Sequence, residues 1–158
     1  MNNPEKLSIS TKIQVAKSRE EVFQTIIDRK ELSKFFISEA SSDLIAGKQI
    51  TWKFPEFKFV AFSIEVLKVV FPAIIILTWE GAENYITTVT FELIEIEEDQ
   101  TLVSITEEGM QNNAEGIAWL GRNSEGWANF LACLKAYLEY GINLRKGAFE
   151  FLRNDRKP

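Results

Sequence analysis

Glu107 is the residue with the widest range of possible chemistry in this sequence. It belongs to the alternating run Thr101-Leu-Val-Ser-Ile-Thr-Glu-Glu108, in which Val103, Ile105 and Glu107 share one face and Ser104, Thr106 and Glu108 the other. If the first face is the covered one, Glu107 points inward. A carboxyl in such a place can act as a general acid or anchor the polar end of a ligand. If it instead lies at the frayed end of the strand, it is merely solvated. Arg122 is the cation best placed to pair with it, or to grip a ligand carboxylate with two parallel donors. The alternative for Arg122 is a surface arginine at a loop end.

The second chemical signal is aromatic. Twelve Phe and four Trp occur among 158 residues. The set Trp52, Phe59, Trp79, Tyr85, Trp119, Trp127 and Phe130 is either plain core or the wall of an apolar pocket with a few polar anchors. Trp119 stands in a stretch flanked by Gly116 and Gly121, which reads as a loop able to act as a lid.

Other chemistries are ruled out by composition. There is no histidine, so His-based triads, His acids and His-ligated metals are excluded. Cys133 is the lone thiol; it sits in an apolar helical stretch and reads as a small core residue. The acidic run Glu92, Glu95, Glu97, Glu98 and Asp99 fits a solvated strand face and hairpin tip, and no calcium-loop, phosphate-loop or dinucleotide motif is present. No metal or cofactor is therefore expected. A net charge of −5 argues against nucleic acid as a partner. The start of the chain, Met1 to Lys6, is polar and lacks a secretory pattern, and the longest apolar runs are too short to span a bilayer. A cytoplasmic protein is the expectation.

The elements that must position these residues follow from periodicity. Leu7 to Val15 alternates as a half-buried strand. Ser18 with Glu21 forms a capping box opening a helix that carries Val22, Phe23, Ile26 and Ile27. A second short helix is expected over Glu31 to Phe36, burying Leu32, Phe35 and Phe36. Strands follow from Gly47 to Phe54, Phe57 to Val70, Ala73 to Glu80, Tyr85 to Glu97 and Thr101 to Glu108, joined by short turns, which makes the sheet antiparallel. Met110 to Arg122 shows no clear period and reads as a loop, with room for one helical turn. A final helix begins at Asn123 or Ser124, bears Trp127, Phe130, Leu131, Leu134 and Leu138 on one stripe, and stops at Gly141. The expected fold class is α+β: a curved antiparallel sheet wrapped around a long C-terminal helix, with two short helices after the first strand. A single domain is expected over 1–158, its core at about 7–141, with a more basic tail at 142–158 that Phe149, Phe151 and Leu152 could order.

This order of elements resembles the helix-grip fold of the START and birch-pollen-allergen (SRPBCC) superfamily. The motifs are most similar to the branch of heat-shock protein 90 ATPase activator homologues. They are Ser18-Arg-Glu-Glu-Val-Phe23, Leu32 before Phe35-Phe36, Gly47 with Trp52, Leu77-Thr78-Trp79, Thr101 to Gly109, and Gly126-Trp127 with the helix end Leu134 to Gly141. Many relatives carry Trp where Phe35 stands and a polar or His residue where Glu107 stands. The turn that is commonly polar in relatives reads Val69-Val70-Phe71-Pro72-Ala73 here, an apolar tip that a second subunit, as in a homodimer, would cover.

Three functions compete. The first is a non-catalytic binding protein that holds a small apolar or amphipathic molecule between sheet and helix. The second is an interaction module that modulates a partner such as a chaperone ATPase. The third is a cyclase- or hydrolase-like enzyme using Glu107 as acid and base; the missing histidine makes it the weakest.

Overall fold

The first strand, β1 (Lys6–Val15), runs into α1 (Arg19–Ile27) and the one-turn α2 (Arg29–Leu32). Strands β2 (Glu39–Ala40), β3 (Gln49–Lys53), β4 (Phe62–Val70), β5 (Ile74–Ala82), β6 (Tyr85–Glu97) and β7 (Gln100–Gln111) follow. The long helix α3 (Ala114–Tyr140) and a 3-10 turn at Glu150–Leu152 complete the order. This computed structural model describes residues 5–153. The two ends of the expected domain, 1–4 and 154–158, lie outside the described residues.

The seven strands form one antiparallel sheet in the order β1-β7-β6-β5-β4-β3-β2. The N-terminal strand therefore crosses over to pair with the last one, and β7 sits between β1 and β6. Alternation places Ile64, Val66, Ile75, Leu77, Val89, Phe91, Val103 and Ile105 on the inner face, all buried. Helix α3 answers with Trp119, Trp127, Phe130, Leu131 and Leu134. A sheet apolar on one face must cover it, and α3 is the one element long enough to do so. No helix among the described residues is long and apolar enough to cross a membrane.

Local chemistry sets the boundaries. Ser18 caps α1, its hydroxyl accepting from the Glu21 N–H at 3.2 Å. Asp28 accepts from the N–H groups of Lys30 and Glu31, so the second helix starts at Arg29, earlier than its apolar spacing predicts, and relaxes into turns before Phe36. The strand expected from Phe57 begins only at Phe62. The segment before it is spent in turns, with Phe57 N–H bonded to the Phe54 carbonyl and Val60 N–H to that of Phe57. A register shift between Val66 and Lys68 then bends β4.

The largest difference concerns the final helix. It starts at Ala114, ten residues before the expected Ser124, and takes in most of the stretch predicted as a loop, whose first two residues, Met110 and Gln111, instead end β7. Asn113 is the cap, its side chain accepting from the Gly116 N–H at 2.8 Å. Gly116, which weakens the helical signal, serves close packing: a Cβ there would lie 1.9 Å from the Gln111 carbonyl. Helix α3 can thus begin hard against the end of β7. Gly141, at φ 65°, ends it as expected.

The apolar tip at Val69–Ala73 is partly satisfied within the chain. Phe71 packs edge-on against Phe23, with centroids 5.4 Å apart, but stays 53% exposed.

Candidate functional site

Glu107 is fully buried, on the inner face of β7. Four donors converge on it. Trp79 Nε1 donates to Oε2 at 2.9 Å and Thr87 Oγ1 to the same oxygen at 2.6 Å. Trp127 Nε1 donates to Oε1 at 2.8 Å and Asn123 Nδ2 at 3.1 Å. Trp79 stands on β5, Thr87 on β6, and Asn123 and Trp127 one turn apart on α3. One side chain therefore ties the helix to three adjacent strands. The two indoles and the Asn123 amide nitrogen can only donate, so each oxygen of Glu107 accepts at least one bond, the pattern of a carboxylate.

Gly81 makes room for this cluster. A Cβ at that position would lie 2.1 Å from Thr87 Oγ1 and 2.5 Å from Glu107 Oε2. Its carbonyl also accepts from Asn123 Nδ2 at 3.3 Å.

The two indoles that bond to Glu107 also line a cavity of about 410 Å³. Trp79 and Trp127 are wall residues, 5.7 Å apart between centroids. Phe36, Phe54, Phe57 and Phe62 continue the wall on the side of the β3–β4 connection. The third side comes from the C-terminal segment, where Arg145, Phe149, Phe151 and Leu152 close over the space. At the mouth stand Arg122, Glu80 and Glu125. Arg145 is fixed by Glu56, which is itself buried, at 3.0 Å, and its guanidinium lies over the rings of Phe36, Phe54 and Phe149 at 5.6, 5.5 and 4.7 Å.

The residues singled out from sequence separate into three groups. Trp79, Trp127 and Arg122 line the cavity, with Glu107 directly behind the two indoles. Trp52 and Phe130 back the wall without lining it: Trp52 meets Trp79 at 6.3 Å, and Phe130 meets Trp127 at 5.7 Å. Phe59, Tyr85 and Trp119 take no part. Phe59 is 100% exposed because the turns before β4 carry it off the sheet. Tyr85 is half-buried just after the β5–β6 turn. Trp119 is no lid, because the helix that contains it buries it completely in the core. Arg122 does not pair with Glu107 either. It is exposed at the mouth, and its neighbour Asn123 takes the inward position.

Sequence reasoning misses Asn123 as a ligand of the carboxylate, and Arg145 with Glu56. The first would have followed from a correct helix start, since Asn123 and Trp127 then fall four residues apart on one face. Nothing in the sequence pairs Arg145 with Glu56, 89 positions away. The cluster Phe149, Phe151 and Leu152 is visible in the sequence, and all three line the cavity, with Phe151 and Leu152 still exposed on their outer side.

A second polar contact lies outside the cavity. The Tyr137 hydroxyl donates to Glu31, and its ring stacks on Phe35 at 5.4 Å. The Tyr137 hydroxyl, then the Lys34 ammonium at 3.0 Å, hold the Glu31 carboxyl below its ordinary 4.5, burial opposing them. A carboxyl depressed on folding contributes stability above its unfolded pKa and loses it as pH falls through the folded one. Tyr137→Phe is therefore expected to be less stable than wild type near neutrality, and the gap should narrow between about pH 5 and about pH 3. Urea midpoints across that range check it; a constant gap would show that Glu31 is not the linked group.

Among the described residues no group of three Cys, Asp or Glu side chains is placed to hold a metal ion.

Comparison with solved structures places this geometry among known folds. Protein SSP2350 from Staphylococcus saprophyticus is 31% identical, with a TM-score of 0.75, and the match covers 88% of this chain and 96% of that one. The Aha1 dimer from Colwellia psychrerythraea is 23% identical, with a TM-score of 0.71, covering 85% and 98%. PFC0360w of Plasmodium falciparum, described as an HSP90 activator, is 23% identical, with a TM-score of 0.66, covering 85% and 96%. No curated protein matches the sequence significantly. Residues 16–139, from the end of β1 to the last turn of α3, match the family described as Activator of Hsp90 ATPase homolog 1-like protein, and the chain belongs to that family.

Proposed function

We propose that this protein is a non-catalytic carrier or sensor that holds a small apolar or amphipathic molecule in the cavity between β5, α3 and the C-terminal segment. The observation that carries it is the cavity itself: about 410 Å³, walled by rings, with Asn123 and two arginines as polar points. That size and lining suit a small organic ligand. All four donors around Glu107 are already used within the fold. This favours a carboxylate that shapes the wall over one that transfers protons to a substrate.

The test uses N-phenyl-1-naphthylamine, a neutral fluorescent probe, together with native mass spectrometry of protein purified from its own host. Saturable binding of one probe per chain, with quenching of the wall tryptophans Trp79 and Trp127, is expected. Absence of both probe binding and any small-molecule adduct would overturn the proposal.

Family membership favours a second reading, in which the chain modulates a chaperone ATPase, in keeping with the description of the Plasmodium relative as an HSP90 activator. The outer surface would then be the functional part. The half-exposed Phe71 tip would be a contact point for a partner or a second copy, as the Colwellia relative is a dimer. Stimulation of ATP turnover by the host's own heat-shock protein 90 would support that reading; an unchanged rate would count against it.

A further inference from the structure

The charges around the cavity are unequal. Glu107 receives four neutral donors and no cation among the described residues. Glu56 is matched by Arg145. At the mouth Arg122 stands with two carboxylates, Glu80 and Glu125. Among the described residues, Glu80 and Glu125 at the mouth and Glu107 and Glu56 behind the wall thus stand with two cavity-lining cations, Arg122 and Arg145. Hydrogen bonding also acts on the rings. Trp79 and Trp127 each donate their N–H to the buried anion, which pushes electron density into the indole and makes its face more negative. Those are two of the rings that line the space. A neighbouring part of the same wall already holds a positive charge, since Phe36 and Phe54 lie under the Arg145 guanidinium.

We propose that the cavity selects an organic cation: an alkylated ammonium head on an apolar or aryl body, seated against Trp79 and Trp127 in front of Glu107. This rests on the cavity-binding function above and names its ligand class. A neutral ligand of the same shape would bury the same apolar area but gain nothing from the ring faces or the uncompensated carboxylate. The head needs no hydrogen-bond donor of its own where it meets Trp79 and Trp127, because that part of the wall offers π faces.

The experiment compares (3-hydroxyphenyl)trimethylammonium with 3-tert-butylphenol, which differ in a nitrogen for a carbon and in one charge. Titration calorimetry on the full chain at constant salt reads both. The cation is expected to bind at least about tenfold more tightly. Glu107→Gln should reduce that preference severalfold. In case that variant folds poorly, Glu125→Gln at the mouth should reduce it about twofold, with affinity for the phenol unchanged. Equal affinities, or tighter binding of the phenol, would overturn the cation assignment and leave the carrier function standing. The same holds if N-phenyl-1-naphthylamine binds and neither small molecule does. If none of the three binds and native mass spectrometry shows no small-molecule adduct, both proposals fall.

Discussion

Glu107→Leu is expected to lower the unfolding free energy by about 3 kcal/mol, read as a fall in the urea midpoint at unchanged slope. The substitution removes the common acceptor of Trp79, Thr87, Asn123 and Trp127. Each buried donor left without a partner costs about 1–3 kcal/mol. The four are not equal. The two indoles are held by their rings and cannot turn away, whereas Asn123 keeps the Gly81 carbonyl and the Thr87 hydroxyl can rotate. The full sum is therefore not reached. Removing the charge itself offsets part of the loss, since a buried carboxylate without a cation is costly to desolvate. Glu107→Gln should fall between wild type and Leu, because one amide oxygen still accepts while the amide nitrogen faces donors. A Leu variant as stable as wild type would show that this carboxylate does not brace the helix against the sheet.

The second large effect is expected at Gly81. Gly81→Ala should destabilise by about 2–3 kcal/mol and loosen the wall at Trp79. The new methyl would lie within 2.1 Å of Thr87 Oγ1, 2.5 Å of Glu107 Oε2 and 3.0 Å of Thr87 Cγ2. Neither neighbour can yield cheaply, because Thr87 and Glu107 are bonded to each other at 2.6 Å. The backbone at Gly81 is not in the left-handed region, so the cost comes from crowding alone. That origin has a signature. Thr87→Ala removes two of the three clashing atoms, so the double variant Gly81→Ala/Thr87→Ala should lose less than the two single losses combined, by about 1 kcal/mol or more. Strict additivity would point to a backbone cause instead.

Both effects belong to a constellation that is half legible in the sequence. The alternation through Val103 and Ile105 puts Glu107 on the apolar face, but an unpaired charge at the end of a strand reads equally well as solvated. Its true environment depends on Thr87 and Trp79 from two other strands, and on Asn123 and Trp127 from a helix whose start the local pattern misplaces. Gly116 and Gly121 lower helix propensity, and the gain that overrides it is tertiary: burial of Trp119 and the close approach of Gly116 to Gln111. Once that segment is helical, the supposed lid disappears and Arg122 stands out at the mouth.

Periodicity and capping residues were enough to determine the antiparallel strands other than the short β2 and the start of β4, the capped first helix, the apolar stripe of α3 and its stop at Gly141, because each depends on spacings within a few residues. They also determined, with composition, which chemistries are closed to a chain without histidine. Tertiary structure alone decided that Asn123 rather than Arg122 reaches the carboxylate, that Phe59 faces water, and that Arg145 docks on Glu56 so that the tail roofs the cavity. Those outcomes join positions tens of residues apart, and the direction of a side chain across such distances is set by packing, which no local pattern encodes.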